Sequence, residues 1–259
     1  MQPLVIKVGG ALLDSVNEKA QLFQTIASLV NQGVAVVLVH GGGCLVDDWI
    51  AAMGFTNEKL DGLRVTPKSQ VNVVAGALAG AANKLLVANA KQHDVKAVGL
   101  SLCDGGLVNA EYVDDRLGQV GQCRVGEPTL LNSLLADGYT PLIGSIADDG
   151  EGRLLNVNAD QAAQVIAQLI GGKLILLSDV PGVLDGNKEL IDKLSPLRAQ
   201  QLIAQGVIAG GMKVKVNTAF NTATTLQDSI VIASWKQPQD LMAFAAGNTC
   251  GTLIKPEQK

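Results

Sequence analysis

Two short apolar segments near the start of the chain each run directly into glycines. Residues 4–8 are followed by Gly9 and Gly10, and residues 36–40 are followed by three glycines at positions 41–43. A β-branched apolar run predicts a buried strand, and glycines after it expose backbone N–H groups where a helix can begin. Unpaired amides and the positive end of a helix dipole then converge on one point, which suits an anion. With Lys7 inside the first segment, the pair indicates phosphate chemistry.

Segments of this kind alternate with helical patterns along the whole chain. Strand-like runs lie at residues 4–8, 34–39, 96–101, 140–144, 173–178 and 229–234. Helical patterns lie at residues 17–32, 44–53, 67–93, 128–137, 159–170, 196–205 and 212–226. Strands that alternate with helices imply βαβ units. The predicted fold class is α/β, a three-layer αβα sandwich around a mostly parallel central sheet.

Residues typical of helix starts and turns refine this prediction. Thr66-Pro67 and Ser195-Pro196 each predict a helix N-cap followed by proline at the first helical position. Residues 104–125 lack a helical period and predict hairpins at an edge. A polar turn cluster near residue 150 marks a softer division. We expect a single domain over 1–259, with a continuous sheet and two halves that meet near residue 155.

Composition limits the compartment and the classes of partner. The net charge of −4 and the pI near 5.2 argue against a nucleic-acid or anionic-membrane partner. The four cysteines form no C-x-x-C pair and the two histidines are too few for a zinc cluster, which is typical of a reducing cytosolic setting. Lys7 interrupts the N-terminal apolar run, so no signal peptide is expected. We also expect no apolar stretch near the roughly 18 residues of a membrane helix, hence a soluble cytoplasmic protein.

Two common nucleotide-binding fingerprints are incomplete in this sequence. Gly172-Lys173 is followed by Leu174, and Ala167 stands where a P-loop needs its first glycine. Val46 and Leu155 stand where a third glycine would complete a G-x-G-x-x-G motif. A P-loop enzyme and a Rossmann dehydrogenase are therefore not expected.

The glycine-ended strands have ordinary structural alternatives. Lys7 and the following glycines could form a strand end with a solvated lysine. The glycines at 41–43 could form a tight turn, although three in a row lose much backbone entropy on folding and so need a reason such as close approach to a ligand. His40 is expected to be a structural or orienting residue rather than a catalyst.

Two later groups of residues also have a purely structural interpretation. Asn158 could cap the next helix, with Asp160 favouring the dipole in its first turn. Lys213 and Lys215 cannot share a helix face because positions two apart point in different directions. The residues alone leave open which lysine points inward and whether both are solvated.

Taken together, the motifs resemble a known family. KVGGALL, VHGGG, GLRVTP, NVNADQAA, LLSDVPGVLDG and GGMKVKVNTA occur in this order across the chain. The set resembles the amino-acid kinase family, most closely its acetylglutamate kinase branch. The resemblance implies ATP-dependent phosphorylation of the side-chain carboxylate of N-acetyl-L-glutamate, giving N-acetylglutamyl 5-phosphate and ADP in arginine biosynthesis.

The resemblance also implies roles for individual residues. Lys7 and Lys215 match the two catalytic lysines, and Asp160 matches the carboxylate that holds both of them. The residues matched to the acyl amino acid are Gly42, Gly43, Arg64 and Asn156, and those matched to the transferring phosphoryl group are Gly9 and Gly10. The residues matched to ATP are Asp179, Val180, Pro181, Gly182, Val183, Leu184, Val207, Ile208 and Ala209. The half 1–155 would then bind the acyl amino acid and the half 156–259 would bind ATP.

This chemistry explains why no catalytic histidine is required. The acceptor carboxylate, with a pKa of about 4, is already ionised near neutrality and needs no general base. Catalysis would come from positioning and from charge stabilisation by the lysines, the glycine amides and a Mg²⁺ ion bound with ATP, with no metal ligand assigned to the chain. Alternatives are another carboxylate kinase of the same family and a non-catalytic amino-acid or nucleotide sensor.

Quaternary structure and regulation are expected from the same resemblance. Arginine-inhibited hexameric members carry an additional N-terminal helix, whereas the first strand here is predicted to begin at about Leu4. We therefore expect an arginine-insensitive homodimer, with the apolar helix at 67–90 as the candidate interface.

Overall fold

The structure is a computed structural model that describes residues 2–60 and 62–256. Within these residues the strands are β1 (Leu4–Val8), β2 (Val36–His40), β3 (Lys59–Leu60), β4 (Leu63–Arg64), β5 (Ala97–Ser101), β6 (Val108–Tyr112), β7 (Val120–Val125), β8 (Thr140–Gly144), β9 (Ile146–Asp148), β10 (Leu154–Val157), β11 (Lys173–Ser178), β12 (Lys193–Leu194), β13 (Ile230–Ser234) and β14 (Thr252–Ile254). The α-helices are α1 (Val16–Asn31), α2 (Gly43–Ala52), α3 (Val71–Ala75), α4 (Asn83–Gln92), α5 (Thr129–Ala136), α6 (Ala159–Ile170), α7 (Pro196–Ala204), α8 (Gly210–Leu226) and α9 (Pro238–Ala245). A π-helical segment, Gly76–Ala82, joins α3 to α4, and Gly10–Leu12 and Asp104–Gly106 form single 3₁₀ turns.

A central sheet of eight strands confirms the predicted fold class. Its order is β12-β14-β13-β11-β1-β2-β8-β5, and neighbours pair in parallel except for β13 and β14. The six strands predicted from the sequence are all present in it. In register, Val8 of β1 pairs with His40 of β2 and with Leu177 of β11. The carboxyl ends of these three strands therefore lie at one level, where the following loops meet.

Helices cover both faces of this sheet, which explains its continuous apolar strands. Alternate residues of β1 point to opposite sides, so Val5 and Ile6 belong to two different core clusters. On the Val5 side the strands pack against buried residues of α5, α6, α7 and α8. On the Ile6 side they pack against α1, α4 and α9. The result is the predicted three-layer sandwich.

A smaller sheet lies beside the central one, with the order β6-β7-β10-β9. The predicted hairpin within 104–125 is confirmed, because β6 and β7 pair antiparallel and β6 forms an edge of this sheet. β9 and β10 were not predicted. They pair antiparallel across the polar turn near residue 150 and lead the chain directly into α6.

The two proline-marked helix starts have different outcomes. Ser195 accepts a hydrogen bond from the Arg198 N–H at 3.3 Å, and α7 begins at Pro196 as predicted. The prediction at Thr66-Pro67 was wrong, since α3 begins only at Val71. Thr66 instead makes an isolated bridge with Gly118, and its backbone N–H donates to the Leu117 carbonyl at 2.8 Å. This long-range pairing holds Thr66 extended, and so it overrides the local capping signal.

The continuous helical stretch Val71–Gln92 corrects one expectation from the sequence. By length and composition it could cross a membrane, with a mean hydropathy of 1.5 over its best window. In the structure 44% of that window is buried inside the protein. Leu86 and Ala90 of α4 are fully buried against the central sheet, so the apolar character of this stretch serves packing.

Candidate active site

The two glycine turns predicted from the sequence contact each other at the carboxyl edge of the central sheet. A Cβ atom on Gly10 would overlap the backbone nitrogen of Gly43, so the two turns approach as closely as glycine allows. Gly42 is equally confined, because a Cβ there would lie 2.8 Å from the Leu78 Cδ2 atom. Gly9 and Gly43 have open space where a side chain would project. The contact brings the loops after β1 and β2 to one point between two cavities.

The first cavity, termed the lysine cleft, contains the residues matched to catalysis. Its polar lining comprises Lys7, Gly9, Gly10, Asp160, Ser178, Asp179 and Lys215. The Lys7 Nζ atom lies 2.7 Å from an Asp160 carboxylate oxygen. Both side chains are largely buried, with relative exposures of 15% and 23%, because α6 covers the face of β1 on which Lys7 lies.

Asp160 is fixed in place by the start of its helix. The Asn158 side chain accepts hydrogen bonds from the backbone N–H groups of Asp160, at 2.9 Å, and Gln161, at 3.2 Å. This is the capping geometry that the sequence left as an alternative. Capping and ion pairing are compatible, since the cap fixes the first turn of α6 and thereby aims Asp160 at Lys7.

Lys215 reaches the same cleft from the first part of α8. Its Nζ atom donates to the Ser178 hydroxyl at 2.6 Å and lies 3.4 Å from an Asp179 carboxylate oxygen. Lys213 is exposed, which answers the question left open by the spacing of the two lysines. One implied contact differs: Asp160 pairs with Lys7, whereas Lys215 contacts Asp179. Lys215 is held instead at the end of β11, where the Ser178 hydroxyl and the Asp179 carboxylate contact its ammonium group.

Asp179 carries a negative charge beside this lysine. The hydrogen bond from Ser178 is the largest cause that lowers the Asp179 pKa, and the Lys215 charge lowers it further. The carboxylate therefore remains ionised throughout the neutral range. Ser178 was missed from the sequence, although its position at the carboxyl end of a buried strand, before a charged residue, is a usable signal.

The second cavity, termed the acceptor cavity, contains the residues matched to the acyl amino acid. Gly42, Gly43, Arg64 and Asn156 all line it, together with Lys59. Arg64 is on the short β3–β4 hairpin, and its guanidinium donates to Asp47 and to the Asn57 side-chain oxygen. Its side chain is only 11% exposed.

Other contacts around Arg64 and Asn156 make this wall rigid. Asn57 donates to Asp47, which closes a triangle of polar side chains around the guanidinium. The Asn156 side chain donates to the buried Thr66 hydroxyl at 3.1 Å. Asp47 and Asn57 were missed from the sequence, and only the position of Asp47 in the first half of the helix after the glycines could have suggested it.

Both segments matched to ATP belong to the C-terminal half of the chain. Asp179 lines the lysine cleft, whereas Val183 and Ile208 are buried in the same apolar cluster as α7. The Val183 N–H donates to the Thr252 hydroxyl at 2.8 Å, which attaches this loop to β14. Val207 is exposed, and Ala209 is the extended residue that precedes α8. Each of the two segments therefore contributes a buried residue to the same apolar cluster. The other matched residues lie with Val183 in the connection between β11 and β12, and they are Val180, Pro181, Gly182 and Leu184.

Comparison with known proteins agrees with this arrangement. The profile of the amino acid kinase family matches residues 2–234. The chain belongs to the amino acid kinase family. Among members of this amino acid kinase family, an acetylglutamate kinase of Shewanella loihica is 50% identical over 253 residues, covering 98% of this chain and 97% of that protein. An acetylglutamate kinase of Aeromonas hydrophila is 46% identical over 254 residues, covering 98% of each chain.

Solved structures with the amino acid kinase fold superpose on almost the whole chain. The protein smu.665 from Streptococcus mutans has a TM-score of 0.81 at 28% identity, with 98% of each chain covered. Carbamate kinase from Giardia lamblia bound to AMP-PNP has a TM-score of 0.68 at 15% identity, with 99% of each chain covered. At that identity the second likeness shows the fold alone.

Proposed function

We propose that this amino acid kinase transfers the γ-phosphoryl group of ATP to the side-chain carboxylate of N-acetyl-L-glutamate, giving N-acetylglutamyl 5-phosphate and ADP. The identity of about half of all residues to acetylglutamate kinases over nearly the full length supports this substrate. The observation that carries the proposal is the contact between Gly10 and Gly43. It places the lysine cleft and the acceptor cavity on either side of one pair of glycine turns.

In this proposal the two halves of the chain divide the substrates between them. The half 1–155 supplies Arg64 and the glycine turns to the acyl amino acid. The half 156–259 supplies Asp179, the following loop and the start of α8 to the nucleotide. Asn156 and Asp160, just after the boundary, reach back to the first half. The transferred group then passes beside Gly10 and Gly43.

The acceptor does not need a general base, because its carboxylate is ionised near neutrality. The barrier comes instead from bringing this anion up to a polyanionic triphosphate. Lys7 and Lys215 place two positive charges at the cleft, and the exposed amides of the glycine turns add hydrogen-bond donors. Asp160 holds the Lys7 ammonium still, so that little reorganisation is needed when the transition state forms.

Magnesium enters this proposal with the triphosphate, as part of the substrate. Of the two carboxylates in the cleft, Asp160 is 23% exposed and Asp179 is 58% exposed. Oxygen ligands from a carboxylate suit Mg²⁺, and Asp179 is the more accessible one. An ion held there would supply positive charge in addition to that of Lys7 and Lys215.

Arg64 is suited to the α-carboxylate of the acceptor. A guanidinium binds a carboxylate through two parallel hydrogen bonds, and Asp47 with Asn57 holds this one in a fixed plane. Asn156 lines the same cavity and offers its amide to the remaining polar groups of the substrate. These contacts give the cavity its preference for an acidic amino acid.

Hydroxylamine trapping tests the reaction and its alternatives together. With MgATP and N-acetyl-L-glutamate the acyl phosphate is converted to a hydroxamate, and the other carboxylates of a panel should give far less. A signal only with a different acidic amino acid would support another carboxylate kinase. Failure with every carboxylate would favour a sensor. The presence of Lys7, Asp160 and Lys215 in the lysine cleft argues against that alternative.

Assembly and regulation complete the proposal. We infer a homodimer in the cytoplasm, and Leu85 on α4, which is 54% exposed, supplies apolar surface on the helix expected to form the interface. Light scattering at micromolar concentration checks the mass, and a hexamer would contradict it. Insensitivity to arginine stays a prediction, which inhibition at sub-millimolar arginine would contradict.

A further inference from the structure

A line of four polar groups runs from Lys84, at the protein surface, to the second glycine turn. The Lys84 Nζ atom lies 3.2 Å from the Asn83 side-chain oxygen. The Asn83 amide nitrogen lies 3.0 Å from His40 Nε2, and His40 Nδ1 lies 3.1 Å from the Gly41 carbonyl oxygen. His40 and Asn83 are both fully buried.

The direction of every hydrogen bond in this line is determined by its two ends. A carbonyl oxygen can only accept, so His40 Nδ1 carries the proton and donates to Gly41. In a neutral ring Nε2 must then accept, which requires the Asn83 amide nitrogen to donate. From the other end, an ammonium group can only donate, so the Asn83 oxygen faces Lys84. Both ends thus assign the same amide orientation and the same tautomer.

Protonation of the ring would break this line. A second proton on His40 Nε2 would face the N–H groups of Asn83, whose nitrogen also lies 2.8 Å from the Leu142 carbonyl and 3.1 Å from the Leu100 carbonyl. In agreement, burial lowers the His40 pKa to about 4. The ring is therefore neutral under ordinary conditions.

The consequence for the site lies in the next peptide group. The Gly41 carbonyl and the Gly42 N–H belong to one planar trans peptide, so they point in opposite directions. The bond from His40 holds the carbonyl toward the buried ring, so the N–H of Gly42, a residue that lines the acceptor cavity, points away from that ring. Within the described residues this N–H has no hydrogen-bond partner.

The surrounding packing is shaped around the same line. Leu78 of the π-helical segment closes over Gly42, and Asn83 begins α4 directly after that segment. On the other side, a Cβ on Gly99 of the edge strand β5 would overlap the Asn83 oxygen and lie 2.6 Å from Lys84 Nζ. The bare backbone of Gly99 leaves the space that Asn83 and Lys84 occupy.

We propose that His40 is a positioning residue for phosphoryl transfer: as the neutral Nδ1–H tautomer, selected by Asn83, it aims the Gly42 amide at the reacting groups through the Gly41 carbonyl. The assignment of a reaction to this amide rests on the proposed function. The assignment of the tautomer does not, since it follows from the hydrogen-bond partners alone.

Two variants of His40 separate positioning from packing. An asparagine places its amide near the position of Nδ1, so His40→Asn retains a donor for the Gly41 carbonyl while leaving a void. A glutamine places its amide near Nε2, so His40→Gln fills more of the space and keeps a partner for Asn83 but loses the bond to Gly41. We expect His40→Gln to be the more stable variant and yet to have the lower kcat, about tenfold or more below the wild type, with an unchanged KM for ATP.

Nitrogen-15 NMR of the wild-type protein at pH 7 tests the tautomer without any variant. The chain has two histidines, and His93→Gln identifies the other one. A neutral His40 with its proton on Nδ1 is the expected result, and a proton on Nε2 or an imidazolium would overturn the inference. Equal kcat values for the two His40 variants, or the faster rate in His40→Gln, would also overturn it. If the wild type phosphorylates no carboxylate, the proposed function fails while the NMR result still decides the tautomer.

Discussion

At the scale of single residues, the charges of the lysine cleft are already paired in the free protein. Lys7 is held by Asp160, whereas Lys215 is held by Ser178 and Asp179. The two lysines therefore differ in freedom: the Lys7 side chain is 15% exposed and the Lys215 side chain is 43% exposed. We infer that Lys7 is preorganised and that Lys215 shifts from Asp179 toward the phosphates when the nucleotide binds.

Removal of Lys215 tests its role at the transition state. Lys215→Ala should lower kcat by about 10²–10³-fold, the typical loss of one charge donor from a preorganised site. ADP release measured by a coupled assay gives the rate. Lys213→Ala is the matched control, because this lysine lies on the same helix and is exposed. A normal kcat in Lys215→Ala would rule out the role.

Removal of Arg64 tests the acceptor cavity separately. Arg64→Ala should raise the KM for N-acetyl-L-glutamate by at least about tenfold and leave the KM for ATP nearly unchanged, because Arg64 lines the acceptor cavity and does not line the lysine cleft. Initial rates over a grid of both substrates give the two constants. Equal changes in both KM values would contradict the assignment.

At the scale of elements, the site depends on the close contact between two turns. Gly10→Ala places a Cβ against the backbone of Gly43, which cannot rotate away. We expect a loss of about 1–3 kcal/mol in the free energy of unfolding, as for other overpacked positions, together with a large fall in kcat. Urea titration measures the first quantity and the ADP assay measures the second.

Gly9→Ala is the matched control for stability. Nothing lies within 4 Å of a Cβ at Gly9, and its φ of −81° is accessible to alanine. Its free energy of unfolding should stay within about 0.5 kcal/mol of the wild type. If both variants lost equal stability, close contact between the turns would not be the cause.

Local patterns predicted most elements but missed those that depend on distant partners. The six strand-like runs predicted from the sequence became central strands, because a buried parallel strand is apolar along most of its length. The short strand Thr252–Ile254 and the helix Pro238–Ala245 were not predicted. The π-helical segment was not predicted either, since Gly76–Ala82 has the composition of an ordinary helix. Leu78 of this segment packs over Gly42, and a local sequence pattern does not show such a long-range contact.

At the scale of the whole molecule, the sheet brings together motifs that are far apart in sequence. Lys7 and Asp160 could be assigned from the resemblance, and the structure places them in contact. Ser178 beside Lys215 and Asp47 beside Arg64 were not assigned, because the sequence does not show which side chain a polar residue will contact once the chain is folded. The sequence therefore predicted the charged groups of the site better than the contacts that hold them.

Acid should destabilise the protein through His40. Its folded-state pKa, about 4, lies below the ordinary value of 6.5, so the stabilisation is complete above 6.5 and is lost as the pH falls toward 4. This shift corresponds to about 3 kcal/mol. Carboxylates with a lowered pKa, such as Asp149 and Asp179, lose their contribution to stability only at lower pH, near and below 3.8.

Urea titrations between pH 7 and pH 4.5 measure this loss. The wild type and His93→Gln should lose stability alike as the pH falls, whereas His40→Gln should show a much flatter profile. The same slope in all three proteins would show that another group is responsible.

The most direct test of one phosphoryl site shared by the two halves is a double-mutant cycle on the rate of hydroxamate formation. Lys7→Ala, Lys215→Ala and the double variant are compared with the wild type, using MgATP and N-acetyl-L-glutamate. Because both ammonium groups are proposed to act on the same transferring group, the combined loss should be much smaller than the product of the single losses. Losses that multiply, as for two independent sites, would contradict a shared phosphoryl group.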